Sequence, residues 1–378
     1  MDKKGLFFLL LVALLFVMGL LMVFGTTSAE ILDRAMDRDV HYALIRQLLY
    51  AIVGALCAMT AWFVGYQTLL KLSGPFLVFF SILLILVFIP GVGLQVNGAR
   101  RWINVFGNSF QPSEFVKYLI PLYLIHKITS LAREVTFKDF LRLAGTVSIP
   151  MALILIEPDN GTVLIIGVSL LVLCLITRIR WTFWVLPLLA MGCLAVGAAL
   201  HMPHVSDRLH VFLHPEADLL GKGHQPHQAK IAAGSGRLLG KGFGESLQKM
   251  NYLPEARSDY IAAIFAEEFG FVGMSGMIFV YMGMGLLGYL MATECKRKEA
   301  FYLLSILVFL LCFQAFFNLA VVSGLLPSKG MNLPFFSQGG SSLLAQFLSV
   351  GIILSIHKES IIFRQLPRPE GRSLRGNP

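Results

Sequence analysis

Charged residues are scarce in this chain, and their scarcity argues against a soluble protein. Only 14% of the 378 residues are Asp, Glu, Lys or Arg, 56% are hydrophobic, and the mean hydropathy is +0.72. Soluble domains carry about 25% charged residues. The apolar runs are continuous and lack the two-residue alternation of a membrane β-barrel. We therefore expect an all-α polytopic membrane protein, with one transmembrane domain over residues 1–378.

Disulfide patterns and nucleotide-binding motifs are also missing. The five cysteines form neither a disulfide framework nor the Cys/His spacing of a zinc site. The glycine-rich segment 234–242 has neither the G-x-G-x-x-G nor the P-loop spacing. We interpret its glycines as turn residues. Close approach of the backbone to a substrate pyrophosphate is the alternative.

What the chain does have is long apolar runs, most of them near the roughly 20 residues that cross a bilayer as a helix. The ten predicted spans are 6–24, 44–64, 72–89, 115–128, 141–156, 163–176, 183–200, 260–291, 301–322 and 341–356. Because this number is even, we expect both termini on the same side of the membrane. The predicted fold is thus about ten transmembrane helices, with one large loop, 202–258, between the seventh and the eighth.

Basic residues indicate the orientation of these spans. With the N-terminus in the cytoplasm, many Lys and Arg residues fall in predicted inner segments, as the positive-inside rule requires. The net charge of +9 is then mostly a topology signal, and we expect no nucleic-acid partner. The tail, 365–378, is predicted to be a flexible cytoplasmic segment near anionic lipid. The 202–258 loop is predicted to be extracytoplasmic.

The loop ends where a carboxylate meets an apolar helix. Segment 253–258 leads directly to Asp259, and charge at such a junction is costly, which favours a functional role. Helix capping by Asp259 is the alternative. Glu267 and Glu268 follow about two turns further on. Because adjacent helical residues point about 100° apart, we expect that these two do not face one site, and we assign Glu267 to a structural polar network.

Six motifs, in order along nearly the whole chain, carry a family resemblance. They lie at 97–103, 111–114, 157–162, 253–260, 324–330 and 337–342. Together they resemble the SEDS family of shape, elongation, division and sporulation proteins. Segments 246–255 and 327–330 are more similar to the division-type members than to the elongation-type members.

The resemblance implies a peptidoglycan glycosyltransferase that polymerises lipid II, a disaccharide-pentapeptide on a polyprenyl pyrophosphate. The reaction would take place on the outer face of the cytoplasmic (inner) membrane, for septal synthesis in cell division. The implied partners are a class B penicillin-binding transpeptidase and other division proteins. A divalent cation, Mg²⁺ or Mn²⁺, is compatible with this chemistry, and no organic cofactor is expected.

On this interpretation Asp259 is the general base, which accepts the proton of the acceptor sugar's 4-hydroxyl as that oxygen attacks the donor. The pyrophosphate leaving group needs charge neutralisation more than protonation. The predicted substrate-binding residues are Arg101, Glu114, Lys117, Lys249, Glu255 and Lys329. For Glu114 and Lys117 an ion pair at the mouth of the fourth span is the alternative. For Lys249 and Glu255 the alternative is organisation of the loop.

Two other classes of function compete with this one. A lipid II flippase or transporter would use the same cations and apolar body, but it needs charged contacts on the inner face, whereas the motifs gather on the predicted outer side. A scaffold that only recruits division enzymes leaves Asp259 unexplained. Within the family, an elongation-type polymerase is the alternative to the division type.

Overall fold

The protein is a bundle of membrane-length helices with a small sheet at one end. The computed structural model describes residues 2–33, 41–96, 99–105, 107–131, 133–187, 189, 223–249, 256–328 and 330–365. The helices there are α1 (Lys3–Asp33), α2 (Tyr42–Val64), α3 (Tyr66–Leu86), α4 (Ser113–Thr129), α5 (Phe137–Ile156), α6 (Asn160–Ile176), α7 (His224–Ser235), α8 (Ile261–Ala292), α9 (Lys298–Val322) and α10 (Gly340–Gln365). The strands are β1 (Gly93–Val96), β2 (Ala99–Val105) and β3 (Asn108–Phe110).

Among the described residues, seven helices are long and apolar enough to cross a membrane. They are α1 through Ser28, α2, α3, α5, α8, α9 and α10. Helices α4 and α6 have 17 residues each, or about 26 Å at 1.5 Å per residue, slightly less than a hydrocarbon core of roughly 30 Å. These two coincide with the predicted fourth and sixth spans. The predicted seventh span, 183–200, lies mostly outside the described residues, so the count of ten stays a prediction.

The core lies around α9 and α10, which are the most enclosed of the long helices. In their most apolar stretches 61% and 72% of the residues are buried, against at most 33% in the other five. Helix α10 packs closely on α2, and a Cβ added to Gly351 would lie 2.2 Å from the carbonyl oxygen of Ala58. Small residues at such crossings let membrane helices gain van der Waals contact.

Polar segments gather at one end of the bundle, which we call the outer end after the predicted orientation. Its described residues are 87–96, 99–105, 107–112, 157–159, 223–249, 256–260, 323–328 and 330–339. The three strands form an antiparallel sheet there, in the order β1-β2-β3, and Ile103 on the central strand pairs with Gly93 and with Phe110. The opposite end, the inner end, comprises residues 2–5, 64–67, 293–298 and 356–365.

Helix α8 is interrupted at Gly270, where φ is 63° and ψ is −161°. The segment 236–242 runs along this interruption and pairs with the backbone groups that the helix leaves open. The four hydrogen bonds are Lys241 N to Glu267 O, Gly242 N to Glu268 O, Phe271 N to Arg237 O and Val272 N to Leu238 O. Pairing of this kind is required because an unsatisfied backbone group in a membrane protein costs several kcal/mol.

The glycines of this segment permit its close approach to α8. A Cβ on Gly236 would lie 2.0 Å from the Ala266 carbonyl oxygen, and one on Gly240 would lie 2.1 Å from the Glu268 carbonyl oxygen. Gly240 also has a φ of +83°, as a turn residue can. The interpretation of the glycines in segment 234–242 as turn residues is therefore incomplete. The close approach that Gly236 and Gly240 permit is to the backbone of α8.

Helix α7 shows that the predicted 202–258 loop contains packed structure. Ala229 and Ala232 are fully buried, and the helix packs against α8 and α9. Its Lys230 covers the end of α9, where a Cβ on Gly324 would lie 2.0 Å from the Lys230 Cε. Residues 202–222 and 250–255 lie outside the described residues, so the extracytoplasmic position of the loop stays a prediction.

Candidate active site

Asp259 lies at the outer end, directly before the first turn of α8. Its side chain is partly exposed. The N-cap position of α8 is Tyr260, which makes no side-chain capping hydrogen bond. Asp259 is thus one residue away from the position at which a side chain caps a helix most effectively. Whether this carboxylate acts as a base or as a cap stays a prediction.

Asn318 and Gly330 define the surroundings of Asp259. The Nδ2 of Asn318 donates to the Asp259 carbonyl oxygen at 2.9 Å and to the Met331 carbonyl oxygen at 2.6 Å. A Cβ added to Gly330 would lie 2.7 Å from the Oδ2 of Asp259. Helix α9 and the segment that follows it therefore fix the backbone of Asp259 on one side and the space for its carboxylate on another.

A chain of two amides, the buried Gln314 and the partly buried Asn332, connects Lys117 with this site. Lys117 is 1% exposed, and its Nζ donates to Glu114 Oε2 at 2.7 Å and to Gln314 Oε1 at 2.8 Å. Gln314 Nε2 donates to the Asn332 carbonyl oxygen at 2.8 Å. Asn332 Nδ2 in turn donates to the Gln338 carbonyl oxygen at 2.9 Å. The ion pair expected as an alternative for Glu114 and Lys117 is present, and their substrate role stays a prediction.

The sequence analysis missed Gln314 and Asn318. They are four residues apart in α9, so they lie on the same face of the helix. Two amides in an otherwise apolar span are the signal that would have identified them, since polar groups within a membrane helix are costly and usually functional. The network also comes within two residues of Asp259, because Gln338 N donates to the Arg257 carbonyl oxygen at 3.0 Å.

Arg101 binds the turn between α5 and α6. Its Nε donates to the Glu157 carbonyl oxygen at 3.0 Å and its Nη2 to the Pro158 carbonyl oxygen at 2.7 Å. These contacts use two of the five hydrogens that a guanidinium can donate. The side chain remains partly exposed at the outer end. Its predicted contact with pyrophosphate is compatible with this position and stays a prediction.

The side chain of Glu157 is buried, and no hydrogen-bond partner for it lies in the described part of the chain. The residue is 0% exposed, and neither carboxyl oxygen is bonded. Burial raises the pKa of Glu157 to about 9, the negative charge of Asp159 adds to the increase, and the positive charge of Arg101 opposes it. Its surroundings therefore favour the protonated, neutral form of the carboxyl group.

Asp159 joins three segments of the outer end. Its Oδ1 accepts from the Thr162 backbone N–H at 3.2 Å, which caps α6. Its Oδ2 accepts from Thr162 Oγ1 at 2.8 Å, from Gln111 Nε2 at 3.2 Å and from Ser113 Oγ at 3.4 Å. Through these bonds the turn before α6 is tied to the start of α4.

Lys249 is buried against α8. Its Nζ lies 3.0 Å from Glu268 Oε1 and 2.5 Å from the Gly244 carbonyl oxygen, and the Lys249 and Glu268 side chains are 7% and 3% exposed. This geometry favours loop organisation over sugar contact. Glu267 belongs to a structural polar network, as expected. Both acids nevertheless bind the same segment, 241–249. This segment passes around the helix, so it contacts two side chains that point about 100° apart.

Two predicted substrate-binding residues, Glu255 and Lys329, lie outside the described residues, so their roles stay predictions. Where the structure is described, no three His, Cys, Asp or Glu side chains come together in a way that could hold a metal ion. The divalent cation is therefore also untested by this geometry.

Comparison with known proteins agrees with the motifs. The model of the FtsW, RodA and SpoVE family, described as cell cycle protein, matches residues 6–361. A protein of Coxiella burnetii named "Probable peptidoglycan glycosyltransferase FtsW" is 39% identical over 352 residues, which cover 92% of this chain and 94% of the relative.

Solved structures show the same fold. The structure "Structural coordination of polymerization and crosslinking by a peptidoglycan synthase complex" has a TM-score of 0.75 at 26% identity and covers 93% of this chain and 97% of that one. The rod shape determining protein RodA of Thermus thermophilus has a TM-score of 0.67 at 25% identity, covering 93% and 96%. Because the family model and the relative both match nearly the full length, the chain belongs to the FtsW, RodA and SpoVE family, the SEDS family whose motifs its sequence carries.

Proposed function

We propose that this protein is a peptidoglycan glycosyltransferase that polymerises lipid II in the inner membrane during cell division. The observation that carries the proposal is Asp259, a carboxylate at the start of an interrupted helix, with Asn318 bonded to its backbone and Gly330 beside its Oδ2. The activity in the name of the Coxiella burnetii relative supports it. So do the seven apolar helices long enough to cross a membrane, counted within the described part of the chain.

The proposed reaction forms one glycosidic bond per cycle. The 4-hydroxyl oxygen of the acceptor sugar attacks the anomeric carbon of the donor, and the bond from that carbon to pyrophosphate breaks. Asp259 accepts the hydroxyl proton, and the bonding electrons leave with the polyprenyl pyrophosphate. A positioned base contributes typically 10² to 10⁴-fold to such a step.

The leaving pyrophosphate is stabilised by cations. Arg101 is the described candidate, since its guanidinium is anchored by two carbonyl oxygens and keeps further donors at the outer end. A planar guanidinium binds phosphate oxygens in pairs. Lys117 is a less direct candidate, because its ammonium is bonded to Glu114 and Gln314.

The proposal also covers location and partner. The active site lies on the outer face, both termini lie in the cytoplasm, and a class B penicillin-binding transpeptidase crosslinks the product. The similarity to a peptidoglycan synthase complex that coordinates polymerisation and crosslinking supports such a partner.

The test is polymerisation of labelled lipid II by purified protein with its transpeptidase, using Asp259→Asn as the key variant. Asn keeps the size of the side chain and removes the base, so glycan synthesis should fall by about 100-fold or more. Normal membrane insertion and partner binding are the controls for folding. Full polymerisation by Asp259→Asn would eliminate Asp259 as the base. Lipid II flipping without polymerisation by the wild type would move the assignment to a transporter.

A further inference from the structure

The part of α8 next to Asp259 is a short, enclosed half-helix. It covers 261–269, and each residue from 261 to 268 is buried. The bend at Gly270 is sharp, because a Cβ on Gly273 would lie 2.3 Å from the Cβ of Phe269 one turn earlier. The rest of α8 therefore does not determine how this half-helix is rotated about its own axis. Other contacts have to set that rotation.

Glu267 is the first of two anchors on the half-helix. Its carboxylate accepts five hydrogen bonds: from Lys241 Nζ at 2.5 Å, Ser246 Oγ at 2.5 Å, Ser235 Oγ at 3.2 Å, Leu247 N at 3.3 Å and Gln248 N at 3.3 Å. The Glu267 side chain is 1% exposed, whereas Lys241 is 32% exposed. All donors come from the last residue of α7 and from the segment that follows it to residue 249. A carboxylate bonded in this way fixes one direction around the half-helix.

Glu268 is the second anchor, and it uses a different cation. Lys249 Nζ lies 3.0 Å from its Oε1, with both side chains almost completely buried. Lys249 is itself fixed by the Gly244 carbonyl oxygen. Because a buried charge without a partner costs several kcal/mol, neither member of this pair can be removed alone without a penalty.

The two anchors together restrain rotation. Adjacent side chains leave a helix about 100° apart. A rotation of the half-helix about its axis that kept the contacts of Glu267 would therefore break the contact of Glu268. The backbone bonds from Lys241 N and Gly242 N to the carbonyl oxygens of these acids fix the half-helix along its length. Asp259 precedes its first turn and would move with any rotation.

We propose that Glu267 and Glu268 are positioning residues, which through Lys241 and Lys249 set the rotation of the half-helix and hence the direction of the Asp259 carboxylate toward Gly330. This inference rests on the proposed role of Asp259 as the general base. It assigns Lys249 to this positioning and not to substrate contact.

The first test measures orientation and does not depend on activity. Asp259→Cys and Gly330→Cys are introduced into a variant without the native cysteines, and oxidation by copper-phenanthroline joins them, since the Gly330 Cβ position and Asp259 Oδ2 are 2.7 Å apart. The crosslinking rate is compared among four variants. Two are the single changes Glu268→Gln and Lys249→Gln, the third combines these two changes, and the fourth is the exchange variant, which combines Glu268→Lys with Lys249→Glu. Because a disulfide requires a Cβ separation of about 3.5 to 4.5 Å, rotation of the half-helix should slow it about ten-fold.

The second test measures catalysis with Asp259 intact. Single changes at 268 and 249 should lower kcat about 10- to 100-fold with little change in KM, because misplacement of a catalytic group by about 1 Å costs on this order. The exchange variant restores the ion pair and should recover at least about ten-fold of the loss, as a coupling between contacting residues predicts. The matched control is Glu294→Gln, an acid with a 9% exposed side chain in an ion pair at the inner end, which should change neither crosslinking nor kcat.

Each other outcome has a defined meaning. Crosslinking at the parent rate in every 268 and 249 variant would overturn the proposal. An exchange variant no better than the single changes would do so as well. A rise in KM alone for Lys249→Gln, with normal kcat for Glu268→Gln, would show that Lys249 contacts substrate. If the wild type made no glycan, the proposed function would fail, and the crosslinking rates would still decide the positioning role.

Discussion

Two acids at opposite ends of the bundle, Glu294 at the inner end and Glu157 at the outer end, have opposite surroundings. At the inner end, Glu294 is bonded by Lys4 and by Arg364, the latter at 3.0 Å. Burial alone would raise the pKa of Glu294, but the hydrogen bonds from these two cations lower it below its ordinary value. At the outer end, Glu157 has no hydrogen-bond partner among the described residues, and burial raises its pKa to about 9. The surroundings of Glu294 favour its ionised form, and those of Glu157 favour its protonated form.

The difference reflects what each end does. The inner pairs tie helix termini together: Glu294 links the ends of α1, α8 and α10, and Asp2 Oδ1 lies 2.5 Å from His357 Nε2. The Lys4 and Arg364 side chains reach solvent, so their bonds to Glu294 are ordinary surface ion pairs. The outer end instead encloses amides, acids and a lysine around Asp259. Enclosed polar groups are expensive, and in a membrane protein they mark the functional region.

The largest effect is expected at Gly330. Gly330→Ala places a Cβ where Asp259 Oδ2 now lies 2.7 Å away, so the carboxylate has to move. A displacement near 1 Å predicts a loss in kcat of about 100-fold. The measurement is polymerisation of lipid II, and Gly276→Ala in α8, where a Cβ meets nothing within 4 Å, is the control. Equal activity of both variants would show that the Gly330 contact does not constrain the base.

The next effect is expected at Asn318. Asn318→Ala leaves the carbonyl oxygens of Asp259 and Met331 without their donor. Each such bond is worth about 0.5 to 1.5 kcal/mol, so a loss in kcat of about ten-fold is expected. Gln67→Ala at the inner end removes an amide bonded to both oxygens of Glu359 and should leave kcat unchanged. Similar losses in the two variants would mean that the amide affects stability only.

Sequence reasoning succeeded where one stretch of chain decides the structure. The apolar runs predicted the positions of α1, α9 and α10. The motif resemblance pointed to Asp259, whose catalytic role stays a prediction. It failed where distant segments meet. The run 260–291 contains no proline, and its interruption at Gly270 depends on the approach of segment 236–242. The pairing of Lys249 with Glu268 depends on that same approach, so spacing alone could not reveal it.

A smaller, pH-dependent effect is expected at Glu157. Because its folded pKa is about 9 and its unfolded pKa is ordinary, the folded state binds the extra proton between these values. Stability therefore falls as pH rises through this window. Glu157→Gln cannot ionise and should lose this slope, so its Tm in detergent exceeds that of the wild type most at pH 8.5 and least at pH 5. Parallel Tm profiles for the two proteins would show that Glu157 is ionised in the fold.

The smallest effect is expected at Glu294, with the opposite sign. Because its folded pKa is lowered, its contribution to stability is present above the unfolded pKa and is lost as pH falls through the folded pKa. Glu294→Gln should therefore be less stable than the wild type at pH 7, and the two should converge in acid. The Lys4 and Arg364 side chains are 36% and 50% exposed, so solvent screening limits the loss to about 1 kcal/mol. Polymerisation measured below the Tm should be unchanged. A ten-fold loss of kcat would instead mean that the ion pairs of Glu294 are coupled to Asp259 across the bundle. The proposed functional difference between the two ends would then be wrong.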